Sequence, residues 1–130
     1  MAMPLAFALL PRLYAVARLD ANHPLPPWAD GAGFVSITRT DDELSIVCDE
    51  LRVPHDVRSE RGWRCLALGG PIPFTTTGVA ASFTTALSTR GISCFVVSTF
   101  DTDYLLVKDD VLDAAIAALR DGGYVVNGAA

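Results

Sequence analysis

Ser98, Thr99, Phe100, Asp101, Thr102 and Asp103 bring three hydroxyls, one aromatic ring and two carboxylates together directly ahead of the apolar run Tyr104 to Val107. Carboxylates at such spacing suit several tasks. They bond their own backbone two residues on and so close a turn, they pair with an ammonium or guanidinium, or they ligate a hard cation. The last needs several oxygen ligands, and no further acid follows before Asp109, so no metal is expected. Elsewhere the chemistry is thin. His23 sits in a proline-rich loop and His55 in a charged turn, and neither stands beside a serine or cysteine placed for nucleophilic attack. Gly69 and Gly70 lead into prolines and not into a phosphate-binding helix. Cys48, Cys65 and Cys94 form no CxxC pair and have no zinc spacing to histidine, so they read as buried, reduced thiols. The expectation is a protein that is not an enzyme and holds no cofactor.

Composition narrows the partners. The chain has 130 residues, 51% apolar and 19% charged, with a mean hydropathy of +0.35, which is ample material for a core. Ten basic against fifteen acidic residues give a net charge of −5, and the arginines are scattered singly. With no basic stripe to neutralise a phosphate backbone, nucleic acid is not an expected partner, and Trp28 and Trp63 read as core or edge cover. The opening apolar run is cut by Pro11 and Arg12, short of the ~20 residues a spanning helix needs. A cytoplasmic protein without a membrane segment is expected, with residues 1–11 as a loose or packed lead-in.

These residues must be positioned by strands and helices. Strand signals cover Arg12 to Leu19, Phe34 to Thr40, Leu44 to Cys48 and Trp63 to Leu68, with a proline loop after the first and Pro54 denying a long helix after the third. In TTTGVAASFTTALSTRG, Val79, Phe83 and Leu87 recur at helical spacing, with Thr76 or Thr77 as the cap and Gly91 as the stop. ISCFVVSTF and DYLLV form a hairpin around the turn DTD. A second helix follows, with Asp109 as its cap, Val111, Leu112, Ala115, Ile116 and Leu119 on one face, and Gly122 as its stop. YVV makes a last strand.

The chain also repeats itself. Slid by 60 positions, TRTDDELSIVCDE falls on STFDTDYLLVKDD, with Asp41 on Asp101, Val47 on Val107 and Asp49 on Asp109. The second copy reads strand, helix, strand, strand, helix, strand, an α+β pattern whose antiparallel sheet carries both helices on one face. In the first copy the helices have shrunk into loops. The expected division is 1–61 for the first unit and 62–130 for the second.

This duplicated βαββαβ unit, with TGV at its helix start and STFDTDYLLV as its hairpin, resembles the ACT domain, in particular the paired ACT units of the CASTOR-type arginine sensors and their small bacterial relatives. FVSITRTDDELSIV matches the first unit of those relatives, and the likeness runs from Leu13 to Val126. It implies tandem ferredoxin-like units forming a non-catalytic regulatory module that binds an amino acid where two ACT units meet. Carried over, the ligand residues are Thr76, Thr77, Gly78 and Val79 at the helix start, with Thr99, Phe100 and Asp103 at the hairpin. Free N–H groups at a helix start suit a carboxylate, and Asp103 suits an ammonium or guanidinium; Asp101 is left to the turn. The arginine sensors carry an acid two residues before the glycine where this chain has Thr76, which speaks against arginine itself. Those sensors place four units on one chain and the ligand between the second and fourth. Two units here imply a homodimer through the second units, with Phe95, Val97 and Phe100 at the seam, and a regulated protein beyond it. The alternative is a structural oligomerisation module with no metabolite.

Overall fold

The computed structural model describes residues 5–72 and 77–128, and Thr76 lies outside them. The described chain contains seven strands and two α-helices and divides into two compact units, Arg12–Trp63 and Met1–Pro11 with Arg64–Ala130.

In the unit Arg12–Trp63, the β-branched and apolar runs form β2 (Ser36–Arg39), β3 (Leu44–Asp49), the later part of β1 (Ala6–Leu19) and the start of β4 (Ser59–Leu68), in the order β2, β3, β1, β4. β3 pairs antiparallel with both β1 and β2. The period of two sends Ala15 and Ala17 from β1 and Leu44, Ile46 and Cys48 from β3 to one core with Ala29 and Val53. No helical stripe exists here, and the two connections hold only single 3-10 turns, Pro27–Ala29 and Glu50–Arg52. Arginines close what helices would have closed. Arg52 donates to the carbonyls of Trp28 and Ala32, and Arg61 to those of Glu50, Val53 and Pro54.

Asp49 caps the second 3-10 turn, accepting from the Leu51 N–H at 3.0 Å and from Arg12 Nη1 at 2.8 Å. Burial by itself would raise its pKa. The Leu51 bond and the Arg12 guanidinium outweigh that and hold it below its ordinary 3.8. A carboxyl lowered in the folded state stabilises the fold above its unfolded pKa and loses that contribution as pH falls through the lower folded value. Asp49→Asn is therefore expected to flatten the loss of stability on acidification below pH 3.8, measured by urea midpoints across an acid series.

In the other unit, β4 is followed by α1 (Val79–Ser88), β5 (Phe95–Ser98), β6 (Asp103–Lys108), α2 (Leu112–Asp121) and β7 (Val125–Asn127), the order read from the sequence. Leu66 and Leu68 from β4 and Leu105 and Val107 from β6 alternate onto one face. There they meet Phe83 and Leu87 of α1 and Leu112, Ala115, Ile116 and Leu119 of α2, so both helices cover the same side. Tyr124 donates its hydroxyl to Ser82 Oγ at 2.8 Å, joining the strand end to α1. Cys65 is buried, which pushes its thiol up to about 12 and keeps it unreactive. Cys48 is buried too, but Cys94 is only half-buried.

Three expectations change. β1 starts at Ala6 and runs through Pro11, so residues 6–11 are strand and not lead-in. A strand can pass through a proline where the ladder does not call on its missing N–H. Ala6, Phe7 and Ala8 pair with Val125, Val126 and Asn127, and this pairing is parallel in a sheet otherwise read as antiparallel. Second, Asp109 opens a 3-10 turn, Asp109–Val111, ahead of α2 and binds Arg64 at 3.1 Å instead of capping the helix. Third, the repeat is shifted by one. In the hairpins Ser36 pairs with Val47 and Phe95 with Leu106, and Arg39 with Leu44 and Ser98 with Asp103, so each partner recurs 59 residues further along and not 60. The turns agree. Thr40 and Thr99 each donate a backbone N–H three residues on, at 2.9 Å to Glu43 O and 2.8 Å to Thr102 O.

Candidate functional site

A cleft of about 320 Å³ opens between the start of α1 and the β5–β6 hairpin. On one side are Gly78, Val79, Ala80 and Ala81; on the other are Ser98 to Asp103, with Ile72 completing the wall. The hairpin turn is tied down from within and from behind. Thr99 Oγ1 donates to Thr102 O at 3.0 Å and accepts from Thr102 N–H at 3.3 Å. Thr102 Oγ1 donates to Leu68 O at 2.8 Å, and Ile72 N–H to Asp101 O at 2.7 Å. Gly70 permits this approach, since a Cβ there would meet Asp101 O and the Thr102 side chain, each at 3.0 Å.

Gly78 is the N-cap of α1, at φ 79° and ψ 0°, a left-handed conformation that disfavours any residue with a Cβ. A Cβ would meet no described residue within 4 Å, so packing against those residues is not why glycine stands there. No described side chain caps the helix. The expected cap by Thr77 is absent: Thr77 is exposed ahead of Gly78 and is not among the residues lining the cleft. The first N–H groups of a helix have no intrahelical partner, and here they belong to residues that line the cleft.

The structure thus brings together five of the residues carried over from the family, Gly78, Val79, Thr99, Phe100 and Asp103. Their local tasks differ. The Thr99 hydroxyl closes the turn, the role expected of Asp101, whose contribution is its carbonyl. Phe100 is 80% exposed at the rim. Asp103 is half-buried and accepts from Ser98 Oγ at 2.6 Å. The sequence reading passed over Ser98, although counting back from the turn places it opposite Asp103. Among the described lining residues there are two carboxylates and no basic side chain, so the cleft suits a cationic group beside the hairpin and an anionic one at the helix start. Among the described residues no cluster of three or more histidine, cysteine, aspartate or glutamate side chains is placed for a metal, and no helix is long and apolar enough to cross a membrane.

Comparison with known proteins agrees with this layout. An ACT-domain family model matches residues 58–121, and a model of an N-terminal domain matches residues 12–56. The cytosolic arginine sensor for mTORC1 subunit 1 of Bos taurus is 29% identical over 102 residues, covering 72% of this chain and 31% of its own length. The Homo sapiens protein is 30% identical over 95 residues, covering 67% and 29%. The chain thus spans about a third of the length of these curated relatives. The crystal structure of an Agrobacterium tumefaciens protein is similar at a TM-score of 0.90 and 49% identity, covering 96% of this chain and 93% of that one. At 13% identity, a Clostridium acetobutylicum aspartate kinase shares the fold at a TM-score of 0.66, over 92% of this chain and 34% of its own. With its hairpin, helix start and strand order all in place, the chain belongs to the ACT-domain family.

Proposed function

We propose that this protein is a non-catalytic regulatory module of the cytoplasm that binds a free amino acid in the cleft between α1 and the β5–β6 hairpin. One observation carries the reading: the helix-start residues Val79 to Ala81, which no described side chain caps, and the Asp103 carboxylate line the same space, the charge layout of a zwitterion. The relatives named as arginine sensors support an amino acid as the class of ligand. Gly78, Val79, Thr99, Phe100 and Asp103 form the site, with Thr76 and Thr77 completing the helix-start loop. Two tandem ACT-like units, 1–61 with reduced helices and 62–130, are part of the proposal, supported by the matching register of the two hairpins. A homodimer through the second units closes the open side of the cleft, and a regulated protein reads its state.

Phe100 favours a second reading, an interaction module without a metabolite, because an aromatic ring 80% exposed at a rim suits a protein contact as well. Thermal-shift measurements against each of the twenty amino acids separate the two. A ligand that binds only the folded protein raises its melting temperature, by an amount that grows with concentration. A rise with at least one amino acid is expected, and none at millimolar concentrations leaves the interaction module.

A further inference from the structure

The two hairpins share a register, pair for pair, and carry opposite chemistry at their mouths. In the second, Ser98 stands opposite Asp103. In the first, the same pair is Arg39 opposite Leu44. Arg39 donates to the carbonyl of Ala21, and Leu44 is fully buried. The backbone frame is therefore built equally well with neither a hydroxyl nor a carboxylate at these places, and turn formation does not account for the serine–aspartate pair. Nor does stability, for Ser98 is exposed and Asp103 half-buried, where polar pairs contribute little.

What the pair does is fix a carboxylate. At 2.6 Å, the bond from Ser98 Oγ to Asp103 Oδ1 has the length of a charge-assisted hydrogen bond, and it occupies one of the two carboxylate oxygens. No bond from a described residue reaches Oδ2. A carboxylate held by one oxygen presents the other in a set direction, which spares a ligand the entropy of ordering it.

We propose that Ser98 is a positioning residue, orienting Asp103 so that Oδ2 receives the cationic group of the ligand. This rests on the reading of the cleft as an amino-acid site. The first hairpin, with Arg39 and Leu44, then holds no equivalent site.

The test is calorimetry with each of the twenty amino acids on the wild-type protein, Ser98→Ala and Ser98→Thr. For the amino acid that binds best, Ser98→Ala is expected to lose about tenfold in affinity, and Ser98→Thr, which keeps the hydroxyl, to stay within about twofold. The melting temperature without ligand should not move in either variant. Unchanged affinity in Ser98→Ala overturns the role of Ser98 alone, as does an equal loss in Ser98→Thr or a loss that tracks a lower ligand-free melting temperature. A wild-type protein that binds none of the twenty overturns the cleft reading and the role of Ser98 together.

Discussion

Phe7→Ala is expected to destabilise the protein by about 3–5 kcal/mol, the range for emptying a fully buried phenylalanine site. Phe7 has no exposed surface, and its ring meets Phe83 edge-on with centroids 5.4 Å apart and Tyr124 at the same distance. The lost ring leaves a hollow between a strand and α1, which a rigid sheet refills poorly. Against a total stability of about 5–15 kcal/mol for a domain of ordinary size, such a loss leaves the variant near its unfolding threshold. Urea titration reads it as a lower midpoint at unchanged slope. A change under about 1 kcal/mol would mean that Phe7 is not packed as described.

Asp103→Ala is expected to abolish measurable amino-acid binding while the fold persists. Removing one partner of a hydrogen-bonded charge pair costs about 2–5 kcal/mol. The upper end of that range takes a micromolar ligand to millimolar or weaker. The fold is indifferent because the first hairpin already places Leu44 at the equivalent position with the same strand register. Circular dichroism and the ligand-free melting temperature check the fold, calorimetry the binding. Asp101→Ala is the companion variant: Asp101 O holds the turn through its backbone, which alanine keeps, and binding should fall far less. Normal affinity in Asp103→Ala would remove this carboxylate from the site.

Much of this was legible from residue types, and the failures have physical causes. The order strand, helix, strand, strand, helix, strand follows from a period of two giving way to a period near four, as in Val79, Phe83 and Leu87. The hairpin beside the helix start was visible through family likeness, and the cleft gathers most of its residues. The repeat was visible, yet its register slipped by one residue. Aspartates favour turns in general, so matching Asp41 to Asp101 and Asp49 to Asp109 carries little register information. The turn-closing pair Thr40 and Thr99 carries it, because the register of a hairpin is set by its turn. Ser98 was missed for the same reason, since its meaning lies in what stands across the ladder and not beside it in sequence. Residues 6–11 were misread because a proline inside an apolar run looks like a break.

The parallel pairing of Ala6–Ala8 with Val125–Asn127 has a consequence for the order in which the chain can fold. During synthesis Val125–Asn127, the partner of Ala6–Ala8, emerges more than a hundred residues after them. Phe7 therefore waits for its last neighbours, Tyr124 and Val126, while more than a hundred further residues are made, and loop closure over such a span is slow compared with the local hairpins. The β2–β3 hairpin can form early from neighbours in sequence, whereas the edge pairing of Phe7 with Val126 can close only once Val125–Asn127 have been made. Nascent chains stalled before Val125 should therefore stay open to protease at their N-terminal strand, with protection arriving in one late step.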